Sequence, residues 1–144
     1  MCLKTFVKDN LDYEFKEDQL LTEALITSGV VSGADSIVEQ QGNRRLALIG
    51  DALIRLELVH TKYLEGAKLA TSQRCVSKNA SNHNLGVIGQ RNGLVDQMVL
   101  PACQPKPSEY TVATTVEALI GAIWLDSERD FDLIGRAIRA LHIE

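Results

Sequence analysis

The fold of this chain is decided by a long apolar stretch, RRLALIGDALIRLELVHTKYL, which runs from Arg44 to Leu64. Gly66 follows it, where a glycine commonly ends a helix, so the stretch predicts one long helix. Asp51 lies in the middle of its most apolar part. A carboxylate on a buried helix is costly unless it is paired, hydrated or bound to a metal, so Asp51 is a candidate functional residue.

A second long apolar helix is predicted over Glu109–Asp126, and its fourteen most apolar residues include a single charge, Glu117. Each of these two unusual acids has a glycine or an alanine as neighbour, which lets another group come close. The pair indicates a shared site as readily as two structural acids, held for example by Arg44, Arg45 or Arg55.

The remaining elements are also predicted to be helical, because alternation at period two is absent. We expect an all-α fold in one domain over residues 1–144, with loops over Thr27–Gly42 and Pro101–Ser108. The shorter helices are predicted over Asp18–Ile26, over Thr71–Lys78, from a Ser81 cap to Gly93, and from Ser127 and Asp130 to Leu141.

Composition excludes several classes of protein. With 144 residues, 45% hydrophobic and 24% charged, the chain is neither disordered nor a disulfide scaffold. No apolar run approaches the ~18 residues of a membrane span, and no signal peptide opens the chain. Cys2, Cys75 and Cys103 show no metal-ligand spacing, so we expect free, buried thiols in an intracellular protein without membrane partners.

The net charge of −4 hides an uneven distribution. Residues 43–91 carry eight Lys or Arg against three Asp or Glu, whereas both flanks are acidic. A basic middle of this kind predicts either a surface for a polyanion or pairing with the acidic flanks inside the fold.

Four segments, in this order, resemble motifs of the ribonuclease III family. YEFKEDQLL at 13–21 is similar to Y-x-F-K-D-x-x-L-L, and NRRLALIGDAL at 43–53 to the signature N-E-R-L-E-F-L-G-D-A/S-V. VSKNASNHNL at 76–85 resembles the stretch ending in V-S-N-x-x-L, and TTVEALIGAIWLD at 114–126 resembles D-x-F-E-A-L-I-G-A-I-Y-L-D. Because the ordered set spans nearly the whole chain, it is identified as a member of this family.

The resemblance implies an all-helical domain that dimerises, with a valley between the two protomers for double-stranded RNA. It also implies four carboxylates per protomer that hold Mg²⁺, two of them four residues apart on the signature helix and two three apart on the later helix. Such spacings place each pair on one face of its helix. The ion activates water and neutralises charge on the phosphate under attack.

Two of those four acids are replaced in this chain. Asp51 and Glu117 match the second acid of each pair, but Ala47 and Thr114 stand at the first positions. Arg44 replaces the glutamate that usually opens the signature. We therefore expect Mg²⁺ to bind weakly or not at all at Asp51 and Glu117.

The sequence thus predicts a ribonuclease III-like protein that acts on or binds double-stranded RNA, with nuclease activity absent or much reduced. Two alternatives remain open. One is an active Mg²⁺-dependent double-stranded-RNA endoribonuclease that uses Asp51 and Glu117. The other is a structural dimerisation module in a ribonucleoprotein.

Residues for RNA binding and dimerisation are also indicated. The length leads us to expect no separate double-stranded-RNA-binding domain. Leu48 stands where the family signature has a phenylalanine that enters the partner protomer, which favours a homodimer and leaves a heterodimer with a complete ribonuclease III possible. The basic side chains expected to contact RNA phosphates are Arg44, Arg45, Arg74, Lys78 and Arg91.

Overall fold

The computed structural model describes residues 2–30 and 41–144, and this part of the chain is all-α. The α-helices of the described residues are α1 (Leu3–Leu11), α2 (Asp18–Leu25), α3 (Arg44–Leu64), α4 (Leu69–Asn79), α5 (Asn82–Arg91), α6 (Glu109–Asp126) and α7 (Phe131–Ala140). A short 3₁₀ turn at Leu94–Gln97 lies between α5 and α6.

Helix α6 is the centre of the fold. Most of its side chains are buried, and α2, α3, α5 and α7 all pack against it. Its apolar residues, such as Val112, Ile120 and Ile123, are fully buried, and each contributes roughly 1.5–3 kcal/mol relative to an exposed side chain. A helix enclosed on all sides needs no polar face, which explains the near-absence of charge in its sequence.

The two long helices begin and end at the predicted residues, and the all-α prediction is confirmed. Gly66 follows α3 and Gly93 follows α5, each with a positive φ, as expected for residues that end helices. Ser81 caps α5 by accepting a hydrogen bond from the Asn84 backbone N–H at 3.1 Å. The predicted loop at Thr27–Gly42 falls mostly on residues 31–40, outside the described residues.

Helix α1 was missed by the sequence prediction. Phe6, Val7 and Leu11 form its buried face, but it has only nine residues and the preceding Cys2 provides no side-chain cap. The start of α7 also differs, because Asp130 caps the helix itself and Ser127 accepts a bond from the Asp130 N–H. The only backbone pairing of strand type in the described ranges is an isolated bridge between Ile26 and Val99.

The N-terminal helices are fixed to the end of α6 by one carboxylate. Asp126 accepts a 2.6 Å hydrogen bond from the Tyr13 hydroxyl and further bonds from the backbone N–H groups of Lys16 and Glu17. Burial acts to raise the pKa of Asp126, but these three donors outweigh it and hold the pKa below its usual value. Asp126 therefore joins α6 to the segment that leads into α2.

The structure bears on the expected burial of the cysteines and on the expected pairing of the basic middle with the acidic flanks. The cysteines are free, but Cys2 and Cys103 are exposed and Cys75 is only partly buried, so the expectation of buried thiols was wrong. Of the lysines and arginines between 43 and 91, Arg45 alone pairs with an acidic flank among the described residues, through a 3.7 Å contact with Glu23. No helix within the described residues is long and apolar enough to cross a membrane.

Candidate functional site

Two glycines let α3 and α6 cross in direct backbone contact. A Cβ on Gly50 would overlap the backbone carbonyl of Glu117, and a Cβ on Gly121 would overlap the carbonyl of Leu46. Since Asp51 follows Gly50 along α3, this crossing brings Asp51 and Glu117 to the same side of the helix pair. The expectation that a small neighbour of Asp51 allows a close approach is confirmed at Gly50, and Gly121 on α6 makes a second close approach.

Beside the crossing lies an open cavity of about 740 Å³, which we call the crossing cavity. Asp51 and Glu117 both line it, together with Ala47 and Thr114. The four positions at which the resemblance implies acids therefore come together in one place. The structure brings together the site residues of both long helices, as a shared site requires.

Glu117 is the more buried of the two acids, and its carboxyl has the more unusual pKa. Burial, followed by the negative charge of Asp51, raises this pKa from 4.5 to about 7, against a smaller opposing effect from Arg55. Near neutral pH the side chain is therefore divided between its protonated and ionised forms.

Asp51 is held by an arginine one turn further along α3. Arg55 Nε donates a 2.9 Å hydrogen bond to Asp51 Oδ1, and the two side chains are 52% and 36% exposed. A pair of this exposure is worth well under 1 kcal/mol, so it positions Asp51 without contributing much to stability. The interpretation of Asp51 as an acid paired with an arginine is confirmed by this contact, while Asp51 and Glu117 also line one cavity.

The two positions at which the resemblance implies further acids offer little to a cation. Ala47 is buried and has no ligand atom, and Thr114 uses its hydroxyl hydrogen in a 2.9 Å bond to the Tyr110 carbonyl. No group of three or more His, Cys, Asp or Glu side chains within residues 2–30 and 41–144 is arranged to hold a metal ion. Because one oxygen of Asp51 already accepts from Arg55, this donor set fits Mg²⁺ poorly.

Positive charge surrounds the same cavity. Arg44, Arg45 and Arg55 all line it, each on an exposed part of α3. Arg44 and Arg45 occupy the first two positions of the helix, whose first turn contains no acidic residue. Within the described ranges no carboxylate lies within ion-pair distance of Arg44.

The other predicted phosphate contacts lie outside this cavity. Arg74 and Lys78 line a separate, shallow depression on α4, and Arg91 is exposed at the end of α5. Leu48 lines the rim of the crossing cavity and is 75% exposed. An exposed leucine at this place is available for contact with a second protein chain.

Sequence reasoning missed several residues that line the crossing cavity. Tyr110 contributes an aromatic ring, 55% exposed, and Ser81 and Asn82 contribute the start of α5. Tyr110 lies four residues before Thr114, so the helical repeat could have placed it on the same face of α6. Nothing in the sequence pattern indicated that α5 begins at this cavity.

Comparison with known proteins agrees with this architecture. A family model described as "Ribonuclease III domain" matches residues 44–128, more than half of the chain. "Ribonuclease 3" of Idiomarina loihiensis is 29% identical over 124 residues, which cover 82% of this chain and 51% of that protein. "Ribonuclease 3" of Vibrio vulnificus is 27% identical over 124 residues, again 82% of this chain and 52% of that protein. The chain thus spans about half the length of these relatives.

A solved structure extends the comparison to the fold. The nuclease domain of ribonuclease III from Campylobacter jejuni superimposes with a TM-score of 0.79, over 99% of this chain and 95% of that one. The two are 22% identical in sequence, so the likeness concerns the fold. A second structure of that nuclease domain, whose description concerns flexibility in a region involved in its dimer formation, superimposes with a TM-score of 0.76 at 23% identity, over 95% of this chain and 94% of that one.

Proposed function

Because the chain belongs to the ribonuclease III domain family, we propose that it binds double-stranded RNA and cleaves it poorly or not at all. The observation that carries this proposal is the composition of the crossing cavity. Two carboxylates, Asp51 and Glu117, face it, whereas Ala47 and Thr114 stand where the family pattern has two more.

The charges around the cavity support binding more than hydrolysis. Three arginines line a site that has lost two acids, so the local balance favours an RNA phosphate over a cation. A bound Mg²⁺ would supply an activated water and charge neutralisation, but Asp51 shares an oxygen with Arg55 and Glu117 is only partly ionised near pH 7. Poor positioning by about 1 Å already reduces a rate ~100-fold.

Contacts to RNA would be made with backbone phosphates. Arg44 and Arg45 at the cavity, Arg74 and Lys78 on α4 and Arg91 on α5 are all exposed. Side chains of this kind read the charge and shape of a duplex and carry no base specificity. The affinity should therefore fall steeply as salt is raised.

We further propose a homodimer, in which exposed Leu48 enters an apolar pocket of the second protomer. Full burial of a leucine side chain contributes about 1.5–3 kcal/mol, which is enough to favour association when the surrounding surface is complementary. A heterodimer with a complete ribonuclease III would use the same residue.

The decisive experiment compares the protein with a variant in which the missing acids are restored. We expect wild-type protein to shift duplex RNA at low salt and to leave it intact in Mg²⁺ or Mn²⁺. The double variant Ala47→Glu with Thr114→Asp should cleave the duplex at least ~10-fold faster, because it recovers the ligands that hold and orient the ion. Circular dichroism checks that the variant folds, since Ala47 is buried.

Three outcomes would change the proposal. Cleavage by wild-type protein that disappears in Glu117→Ala would identify an active endoribonuclease. A folded double variant that binds duplex RNA but never cleaves it would show that more than two acids separate this site from an active one. Failure of wild-type protein to bind duplex RNA, together with stable association with protein partners, would favour a structural module.

A further inference from the structure

The crossing cavity has the charge pattern of an anion site. Among the residues that the structure describes, it is lined by Arg44, Arg45 and Arg55 and by two carboxylates, one of which, Asp51, is already paired with Arg55. Arg45 has a single 3.7 Å contact with Glu23, and Arg44 has no carboxylate within ion-pair distance among the described residues. Arg44 and Arg45 are both exposed where they line the cavity.

The backbone adds to this positive character. The N-terminal turns of three helices meet at the cavity: α3 through Arg44, α5 through Asn82 and α6 through Tyr110. One C-terminal end opposes them, that of α4 at Ala80. Helix N-termini present unpaired N–H groups and the positive end of the helix dipole, and anions bind there readily.

The placement of Arg44 and Arg45 is unfavourable in the absence of an anion. Positive side chains in the first turn of a helix oppose its dipole, and α3 has no acidic residue there to compensate. A negatively charged ligand between these side chains and the start of α5 would remove this penalty. A bound anion at this end of α3 would interact favourably with both arginines and with the helix dipole.

We propose that the crossing cavity binds a terminal nucleotide, with its phosphate monoester held by Arg44 and Arg45 without a metal ion. A monoester carries up to two negative charges, one more than an internal phosphodiester, and arginine forks hold such groups with paired hydrogen bonds. Tyr110 offers an exposed aromatic ring on which a base can stack. The volume of about 740 Å³ lies within the usual range for small-ligand sites.

The nucleotide could be free or at the end of an RNA strand. We favour the strand end, and in this form the inference rests on the RNA-binding function proposed above. The phosphate chemistry is the same in both cases, so the experiment has to separate the two sources.

The first part of the test uses AMP as the probe, measured by isothermal titration calorimetry in EDTA. Adenosine and inorganic phosphate are measured alongside it. We expect AMP to bind more tightly than either, because it offers both phosphate and base. Arg44→Glu, which places a carboxylate at the start of α3, should weaken AMP binding by about tenfold or more through loss of a charge-assisted hydrogen bond and added repulsion.

Arg129→Glu is the matched control for that variant. Arg129 is exposed and lies beyond the C-terminal end of α6. Its replacement by glutamate changes the net charge by the same amount as Arg44→Glu. Asp126, the last residue of α6, lies nine positions after Glu117, which corresponds to roughly 13 Å along the helix. AMP affinity should be unchanged in this variant, and an equal loss in both variants would overturn the proposal by showing that only overall charge matters.

The second part compares a duplex RNA with 5′-phosphate ends with the same duplex ending in hydroxyls, again in EDTA. Tighter binding of the phosphorylated duplex, lost in Arg44→Glu, supports the strand end. AMP binding without any duplex binding supports the cavity as a nucleotide site and refutes the RNA-binding function. Equal binding of both duplexes with no AMP binding overturns this inference and leaves the RNA-binding function in place.

Discussion

Asp51 and Glu117 show how two acids of similar chemistry acquire different properties in one cavity. Asp51 is more than a third exposed and is held by Arg55, whereas Glu117 is largely enclosed at the helix crossing and has a pKa of about 7. The backbone carbonyl of Glu117 packs directly against Gly50, the residue before Asp51, so the helix crossing places the two acids close together. The raised pKa is thus a consequence of the way the helices pack.

Replacing Glu117 by glutamine should increase stability at alkaline pH. The folded state holds the Glu117 proton more tightly than the unfolded chain does, so this group causes stability to fall as pH rises from about 4.5 to about 7. Glu117→Gln removes that loss. We expect the free energy of unfolding of the variant, minus that of wild type, to be larger at pH 8 than at pH 4 by about 2–3 kcal/mol, as measured by urea denaturation.

Glu14→Gln provides the comparison for this measurement. Glu14 is exposed, and its replacement should change stability by less than about 0.5 kcal/mol at either pH. If Glu117→Gln shows the same stability difference from wild type at both pH values, the pKa of the Glu117 carboxyl is not raised in the folded protein.

Among the elements, the crossing of α3 and α6 is the feature on which the site depends. Gly50 and Gly121 remove two Cβ atoms from the contact, and the backbones approach closely enough for the carbonyls of Glu117 and Leu46 to fill the space. Backbone cannot shift to make room as the end of a side chain can. The position of the cavity is therefore sensitive to these two residues.

Gly121→Ala should destabilise the fold by about 3 kcal/mol or more, because overpacking of a tight helix contact forces the backbones apart. Gly135→Ala in α7 is the control. A Cβ there would lie 3.1 Å from Arg139 Nη1 and from Glu57 Oε1, both at the ends of flexible side chains. Thermal unfolding of the two variants should show a much larger loss for Gly121→Ala, and equal losses would contradict the packing argument.

The same two helices show what the sequence could predict about elements. Arg44–Leu64 and Glu109–Asp126 are long and strongly apolar, and both were predicted with their observed ends. Helix α1 lacks a cap and has nine residues, so its stability comes from packing on α7, which no local pattern reveals. Long helices can be predicted from their own sequence, whereas short helices depend on packing against other elements.

The site was partly predictable for a related reason. Ala47, Asp51, Thr114 and Glu117 could be aligned with a family pattern, and the structure places all four at one cavity. The contributions of Tyr110 and Asn82 depend on how the start of α5 meets α6, which is a tertiary property. Arg74 and Lys78 were predicted together with Arg44 and Arg45 to contact RNA phosphates, but they line a different depression.

At the scale of the whole molecule, the exposed Leu48 connects the site to the proposed dimer. Leu48→Asp should leave the fold intact, because the side chain is 75% exposed in the single chain, and should raise the dimer dissociation constant at least ~10-fold. Sedimentation equilibrium over a range of protein concentrations measures this change.

Leu125→Asp is the corresponding control. Leu125 lies near the C-terminal end of α6 and is 45% exposed. This variant should not alter association. Wild-type protein that stays monomeric at all concentrations would refute the homodimer, and an equal effect of both variants would remove Leu48 from its proposed place in the interface.

The Tyr13–Asp126 contact has a consequence for how the protein folds during synthesis. Helix α1 packs on α7 and α2 packs on α6, so the helices of this domain that are translated early have their partners among those translated late. Contacts between residues so far apart form slowly, because the long intervening chain must first be closed into a loop. The N-terminal helices therefore remain without their partners until α6 and α7 have emerged, and the domain completes its folding only after most of it has been translated.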